Sequence, residues 1–149
     1  MRAVVQRVLE ASVQVDGNMV SSIGRGILVF AGLHETDADP DIEYIISKIL
    51  GARIFNDEDG VMNCSVTDIG GEVLLISQFT LYGDIRRGKR PSYSSAMTPD
   101  RAKVAFASFV ERFRARHEKT KAGIFGADMK VSLVNDGPVT ILIDSGKLF

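Results

Sequence analysis

The run Val73-Leu74-Leu75-Ile76, apolar at consecutive positions, constrains this chain more than any other feature. A strand that is oily on both faces must be covered on both, so a sheet open to water on one side does not accommodate it. At 149 residues the chain has room for one domain, residues 1–149, which buries roughly 68–70% of the surface its unfolded form exposes. That is core enough to supply the cover. Before the run, Val4, Val5, Val8, Val13 and Val15 lead into Asp16-Gly17, and Val20 to Ile23 and Ile27 to Phe30 follow. This pattern predicts an antiparallel meander in the first third. Asp39-Pro40 reads as an N-cap and first helical residue, with Ile42, Ile45, Ile46, Ile49 and Leu50 at helical spacing up to Gly51. Thr98-Pro99-Asp100 opens a second helix, whose apolar stripe runs through Ala102, Phe106, Phe109, Val110 and Phe113 to an end near His117. The last strands are expected as a hairpin, Val131–Val134 and Val139–Ile143, around the tight turn Asn135-Asp136-Gly137-Pro138. Two amphipathic helices against a largely antiparallel sheet make an α+β fold.

Composition narrows the function classes. With 45% hydrophobic and 25% charged residues, disorder, collagen and coiled coil are excluded. One cysteine, Cys64, forms no intrachain disulfide, and His34 and His117, the only histidines, leave a Cys/His zinc site without ligands. No metal or cofactor is expected. The N-terminal stretch carries Arg2 and Arg7 and lacks an uninterrupted apolar core, and no stretch approaches the roughly 18 apolar residues of a membrane helix. A cytoplasmic protein without membrane contact is the expectation. The net charge is -1, from 18 basic and 19 acidic side chains, so contact with a nucleic acid has to come from a local patch.

The strongest such patch is Arg86-Arg87-Gly88-Lys89-Arg90, between the buried run and the second helix. It reads either as a phosphate-contact loop or as a solvated loop. The second basic run, Arg112, Arg114, Arg116, Lys119 and Lys121, reads more plainly as the wet side and tail of a helix. Strand alternation over 72–82 places Gln78 and Thr80 on the face of Leu74 and Ile76, with Tyr82 beyond them. An amide and a hydroxyl then emerge together at a strand end, where ligands are often met, although a pair satisfied within the sheet is the plainer alternative. A nucleophile is hard to find. Cys64 follows an acidic turn with no basic neighbour, and neither histidine is tied to a serine or cysteine. Phe125-Gly126-Ala127-Asp128-Met129 offers an aromatic, a glycine and a thioether, either as core packing or as a pocket for a flat group.

Taken together, MRAVVQRV at 1–8, SQFTLYGD at 77–84, RRGKRPSY at 86–93 and FGADMKVSLVNDGPVT at 125–140 resemble the D-aminoacyl-tRNA deacylases of the widespread bacterial and eukaryotic type. The resemblance spans essentially the whole chain. It implies a strongly curved, barrel-like sheet carrying two helices, a homodimer, and metal-free hydrolysis of the ester joining a D-amino acid to the 3′-terminal adenosine of tRNA. Gly137-Pro138 matches the cis-peptide motif that enters the partner subunit's site and screens chirality with its backbone. Ser77, Gln78, Phe79 and Thr80 match the catalytic motif, Arg7 a position that holds the Gly-Pro turn, and Phe125 and Met129 the surroundings of the terminal adenosine, with Asn135 on the substrate side of the turn. Lys130 departs from the family, where glutamine is usual, and alternation points it away from Met129. With no side-chain base in view, the implied chemistry rests on backbone N–H groups near Phe79 and Thr80 and on the ribose 2′-hydroxyl. A backbone wall that stops an L side chain has nothing to strike in glycine, so glycyl-tRNA is an expected second substrate. The competing class is a nonenzymatic RNA-binding protein that shares the fold.

Overall fold

The computed structural model describes residues 1–149. Its elements in chain order are β1 (Arg2–Val15), β2 (Asn18–Ile23), β3 (Gly26–Gly32), α1 (Asp39–Gly51), β4 (Phe55–Asn56), β5 (Met62–Cys64), β6 (Glu72–Ser77), a 3-10 turn (Phe79–Tyr82), α2 (Pro99–Arg116), β7 (Thr120–Ala122) and β8 (Met129–Asp144). Asp16 and Gly17 take φ values of 50° and 77°, the pair of left-handed residues that a two-residue turn needs to match strand twist. The expected meander is therefore a single hairpin. Gly26 opposes Val8 and Ile23 opposes Ala11 in one register, so β2 and β3 form one interrupted arm along one edge of β1. The other edge of β1 is taken over nearly its whole length by β8.

The sheet is mixed rather than largely antiparallel. Around β1 every pairing is antiparallel, whereas β3–β6 and β6–β7 are parallel. The helices are the reason: α1 lies between β3 and β6 in the chain and α2 between β6 and β7, and parallel neighbours require such long crossovers. Two further expectations change at element ends. The cap of α1 is Ala38, one residue before Asp39, because the Asp41 carboxylate accepts the Ala38 N–H at 3.0 Å. And the predicted hairpin at 131–143 is one continuous strand, since both of its arms pair with β1 in the same direction.

Burial of the 73–76 run on both faces is explained by two cores. Val73 and Leu75 join Val5, Ile27 and Val29 under α1 and α2, against Ile45, Ile46, Phe109 and Phe113. Leu74 and Ile76 pack on the opposite face with Val8, Val13, Ile23 and Leu28, inside the curl of the sheet. The curl is tied by Ser21, whose hydroxyl donates to the Ala122 carbonyl at 2.8 Å, and by Lys121, whose ammonium donates to the Ser22 carbonyl at 2.6 Å. Arg112 clamps the two helices through Asp39 at 2.8 Å and Glu43 at 3.2 Å. No helix is long and apolar enough to cross a membrane.

The parallel pairing of β3 with β6 brings two backbones unusually close at Gly26, where a Cβ would lie 1.8 Å from the Glu72 carbonyl oxygen. Gly26→Ala is expected to lower the unfolding free energy by about 1–3 kcal/mol or more. Gly51→Ala, where a Cβ meets nothing within 4 Å, is the control and should cost nothing. Urea titration of the two variants checks this, and equal midpoints would contradict the close approach.

Candidate functional site: an extruded turn and a 3-10 turn at a strand end

The last ladder bond of β6 runs from the Gln78 N–H to the Ala31 carbonyl at 2.8 Å, and there the chain leaves the sheet. The expected strand over 72–82 thus stops at Ser77, and Phe79–Tyr82 coil into a 3-10 turn, with the Leu81 N–H bonded to Gln78 O at 3.3 Å and the Gly83 N–H to Thr80 O at 2.9 Å. Gln78 and Thr80 still meet, but through the turn and not through alternation: the Gln78 side-chain amide donates to the Thr80 hydroxyl oxygen. An amide is no base, so this contact orients Thr80 without activating it as a nucleophile. Phe79 and Thr80 begin the turn, so their N–H groups have no acceptor within it. Phe79 itself is 58% exposed.

Tyr82 closes the turn. Its ring is buried between the Arg2 guanidinium, 4.6 Å from the ring centre, and the His34 imidazole at 5.2 Å. Arg2 also donates to the Leu81 carbonyl at 3.0 Å and to Asp144 at 2.9 Å, which ties the turn to the end of β8. Burial, and after it the Asp37 charge, pushes the Tyr82 hydroxyl well above its ordinary value. His34 is otherwise occupied by Thr36 at 2.9 Å, and buried His117 by the Gly71 carbonyl at 2.9 Å. Both histidines serve the fold. Cys64 lies on β5 against the helix-side core.

The second motif sits at the centre of β8. Between the pairs Gln6↔Thr140 and Val8↔Asn135, β1 advances two residues and β8 five, so the Asp136–Val139 region is extruded from the ladder. Gly137-Pro138, a cis peptide, forms its exposed tip. Its base is clamped by Arg7, itself only 9% exposed. The guanidinium donates to the Asp136 carbonyl at 3.1 Å and to the Ile54 carbonyl at 2.5 Å, and pairs with the Asp136 carboxylate at 3.0 Å. Asn135 braces the other side, donating to the carbonyls of Arg7 at 2.8 Å and Val139 at 3.2 Å. Asp136 and Ile54 carried no signal in the sequence, since one looks like any turn aspartate and the other contributes only its backbone.

Within one chain the two motifs stand apart. β8, β1, β3 and β6 are successive neighbours, which separates them by about 14 Å across the sheet, and no hydrogen bond joins them. Phe125 lies 6.0 Å from the Phe106 ring, at the margin of the helix-side core, and Met129 opens β8 against the inner core, half-buried. Lys130 pairs with Asp128 at 2.9 Å, exposed.

The half-closed sheet that carries these two motifs is a fold already known among solved structures. The fold superposes on a c-Myc DNA unwinding element binding protein with a TM-score of 0.93, at 44% identity over 97% of this chain and 98% of that one. A probable eukaryotic D-amino acid tRNA deacylase shares the fold, at a TM-score of 0.83 and 15% identity over 95% of this chain and 97% of that one. The D-aminoacyl-tRNA deacylases of Thermotoga petrophila and Koribacter versatilis are 58% and 54% identical to it over the full length of both chains. The D-Tyr-tRNA(Tyr) deacylase family model matches residues 4–144, and the chain belongs to that family of hydrolases.

Two measurements follow from this geometry. Arg7→Ala strands the Ile54 carbonyl and frees Asp136, and is expected to cost about 1–3 kcal/mol of stability, with Arg7→Lys recovering only part because an ammonium lacks the fork that spans both partners. Chemical denaturation reads it. Because the folded state raises the Tyr82 pKa, the stability tied to its neutral form is complete below about pH 10 and is lost as pH rises beyond that. Tyr82→Phe should therefore lose less stability than wild type between about pH 9 and pH 11. A parallel decline in thermal melts of the two proteins would contradict it.

Proposed function

We propose that this protein hydrolyses the ester of D-aminoacyl-tRNA to free D-amino acid and tRNA, as a homodimer in which the Gly137-Pro138 tip of one subunit completes the site of the other. The observation that carries this reading is the extruded tip itself: exposed, held from both sides by Arg7 and Asn135, and about 14 Å across the sheet from its own chain's Ser77–Thr80. A tip so firmly braced and set apart from its own strand-end turn suits a task in a second subunit.

The substrate enters with its terminal adenosine toward Phe125 and Met129 and its ester carbonyl at the opening of the 3-10 turn. The N–H groups of Phe79 and Thr80 face the developing oxyanion, a contribution commonly worth a few kcal/mol. Thr80, held by Gln78, orients substrate or water. With no histidine or carboxylate on Thr80, the ribose 2′-hydroxyl is assigned the proton relay: it takes the proton of the attacking water as it passes its own to the departing 3′-oxygen, the bond from the carbonyl carbon to that oxygen breaks, and the RNA supplies part of the catalyst. The backbone of the partner's tip occupies the space an L side chain needs and leaves room for hydrogen. Glycine passes that filter, so glycyl-tRNA, including glycine mischarged on tRNA(Ala), is a substrate as well. The setting is the cytoplasm, where translation takes place.

A second reading is a nonenzymatic nucleic-acid-binding protein, favoured by the name of the 44% identical structural relative. Matched D- and L-tyrosyl-tRNA, with and without EDTA, separate the two. Loss of the D ester alone, unaffected by chelator, together with turnover of glycyl-tRNA and no acyl adduct on Thr80 by mass spectrometry, is the expected result. Equal stability of both tyrosyl esters leaves nucleic-acid binding as the function, and a stable glycyl ester removes the backbone-wall account of chirality.

A further inference from the structure

One cluster beside the 3-10 turn is not used by that chemistry. Asp84 and Ser92 exchange both backbone hydrogen bonds, at 2.8 and 2.9 Å, and so pinch residues 85–91 into a projecting hairpin loop. The pinch delivers the next residue, Tyr93, onto the turn. Its ring meets Phe79 edge to face, with centroids 5.1 Å apart and planes at 70°. Gly83 makes this possible, since a Cβ there would come within 3.0 Å of both the Tyr93 ring and the Thr80 carbonyl. Tyr93 is 38% exposed beside the 58% exposed Phe79, and its hydroxyl has no hydrogen-bond partner within the chain. Two aromatic rings are thus held in water at the mouth of the site, in an arrangement that leaves a ring face open.

The charges around them are unevenly committed. Arg86 is spent on Asp84, through bonds of 2.6 to 3.1 Å. Arg87, Lys89 and Arg90 are exposed and take part in no salt bridge. The basic run at 112–121, by contrast, is engaged internally: Arg112 and Arg116 with α1, Arg114 with the Thr120 carbonyl, Lys119 with the Gly70 carbonyl and Lys121 with Glu72. Free cations next to exposed aromatic rings are the pairing that single-stranded nucleic acid requires, phosphate to cation and base to ring face.

We propose that Phe79 and Tyr93 form a stacking subsite for a base of the single-stranded 3′ end of tRNA, inward of the terminal adenosine, and that Arg87, Lys89 and Arg90 hold the adjoining phosphates. This rests on the deacylase reading and adds a nucleotide subsite to it. The subsite acts on substrate capture, not on the ester.

The test compares wild type, Tyr93→Ala and Tyr93→Phe on D-tyrosyl-tRNA and on D-tyrosyl-adenosine, alongside binding of an uncharged CCA-ended minihelix by fluorescence anisotropy. Tyr93→Ala should raise KM for the tRNA by roughly 5- to 150-fold, the factor that one stacked base supplies, with kcat held. It should leave D-tyrosyl-adenosine turnover unchanged and weaken the minihelix by a similar factor, while Tyr93→Phe behaves as wild type. The Arg87→Ala/Lys89→Ala/Arg90→Ala variant should flatten the salt dependence of minihelix binding. Equal losses on both esters would make Tyr93 a support of the turn and overturn the subsite, as would minihelix binding insensitive to Tyr93→Ala. If wild type cleaves neither ester while the minihelix still depends on Tyr93, the subsite stands and the deacylase reading falls.

Discussion

Everything in this molecule hangs on β1, whose two edges are both occupied along most of their length. On one side lie β2 and β3 in a single register, on the other β8. A strand so enclosed has no freedom to slip, because a one-residue shift would turn Val5, Val8 and Val13 out of their cores. Its midpoint holds Arg7, and it is opposite this midpoint that β8 departs from the ladder. The clamp on the Gly-Pro tip is therefore built into the most constrained strand of the fold. Arg7 is buried with its hydrogen bonds made, which avoids the cost of an unpaired interior charge.

The 3-10 turn is anchored from the same strand. Arg2, at the other end of β1, reaches Leu81, Tyr82 and Asp144 together. Both motifs thus take their positions from one element, although they stand at separate places on the sheet. The helices supply the remaining order, since each is the crossover that makes a parallel pair and each covers the face of β6 that the inner core leaves open. Charge follows the same division of labour. Arginines along α2 bind the helices to one another, and three cations without a salt bridge, Arg87, Lys89 and Arg90, lie in the loop that projects beside the strand-end turn.

Legibility from the residues differed from place to place. The double-faced burial of Val73–Ile76 and the apolar stripes of both helices were readable, because periodicity reports which faces are covered. The mixed sheet was readable in principle: a helix between two strands is the signature of a parallel crossover, and weighing that against the antiparallel start of the chain would have corrected the sheet. The end of β6 was not readable. Ser77 to Tyr82 alternates acceptably as a strand, and nothing in these residues marks that the pairing with β3 ends at Ala31 opposite Ser77, where the 3-10 turn follows. Likewise Asn-Asp-Gly-Pro marks a turn, yet whether a turn reverses the chain or merely extrudes from it depends on the partner strand.

From the residues alone, then, come the two helices and the longer strands, the faces that are buried, and, through SQFT and NDGPVT, the family to which the chain belongs. These are local or linear properties, carried by side-chain pattern and by residue identity at short spacing. Only the folded chain settled the extrusion of Gly137-Pro138, the Arg7 link to Asp136 and Ile54, and the meeting of Tyr93 with Phe79. Each of these depends on backbone groups brought together from distant parts of the chain, and a backbone carbonyl has no letter in the sequence to announce it.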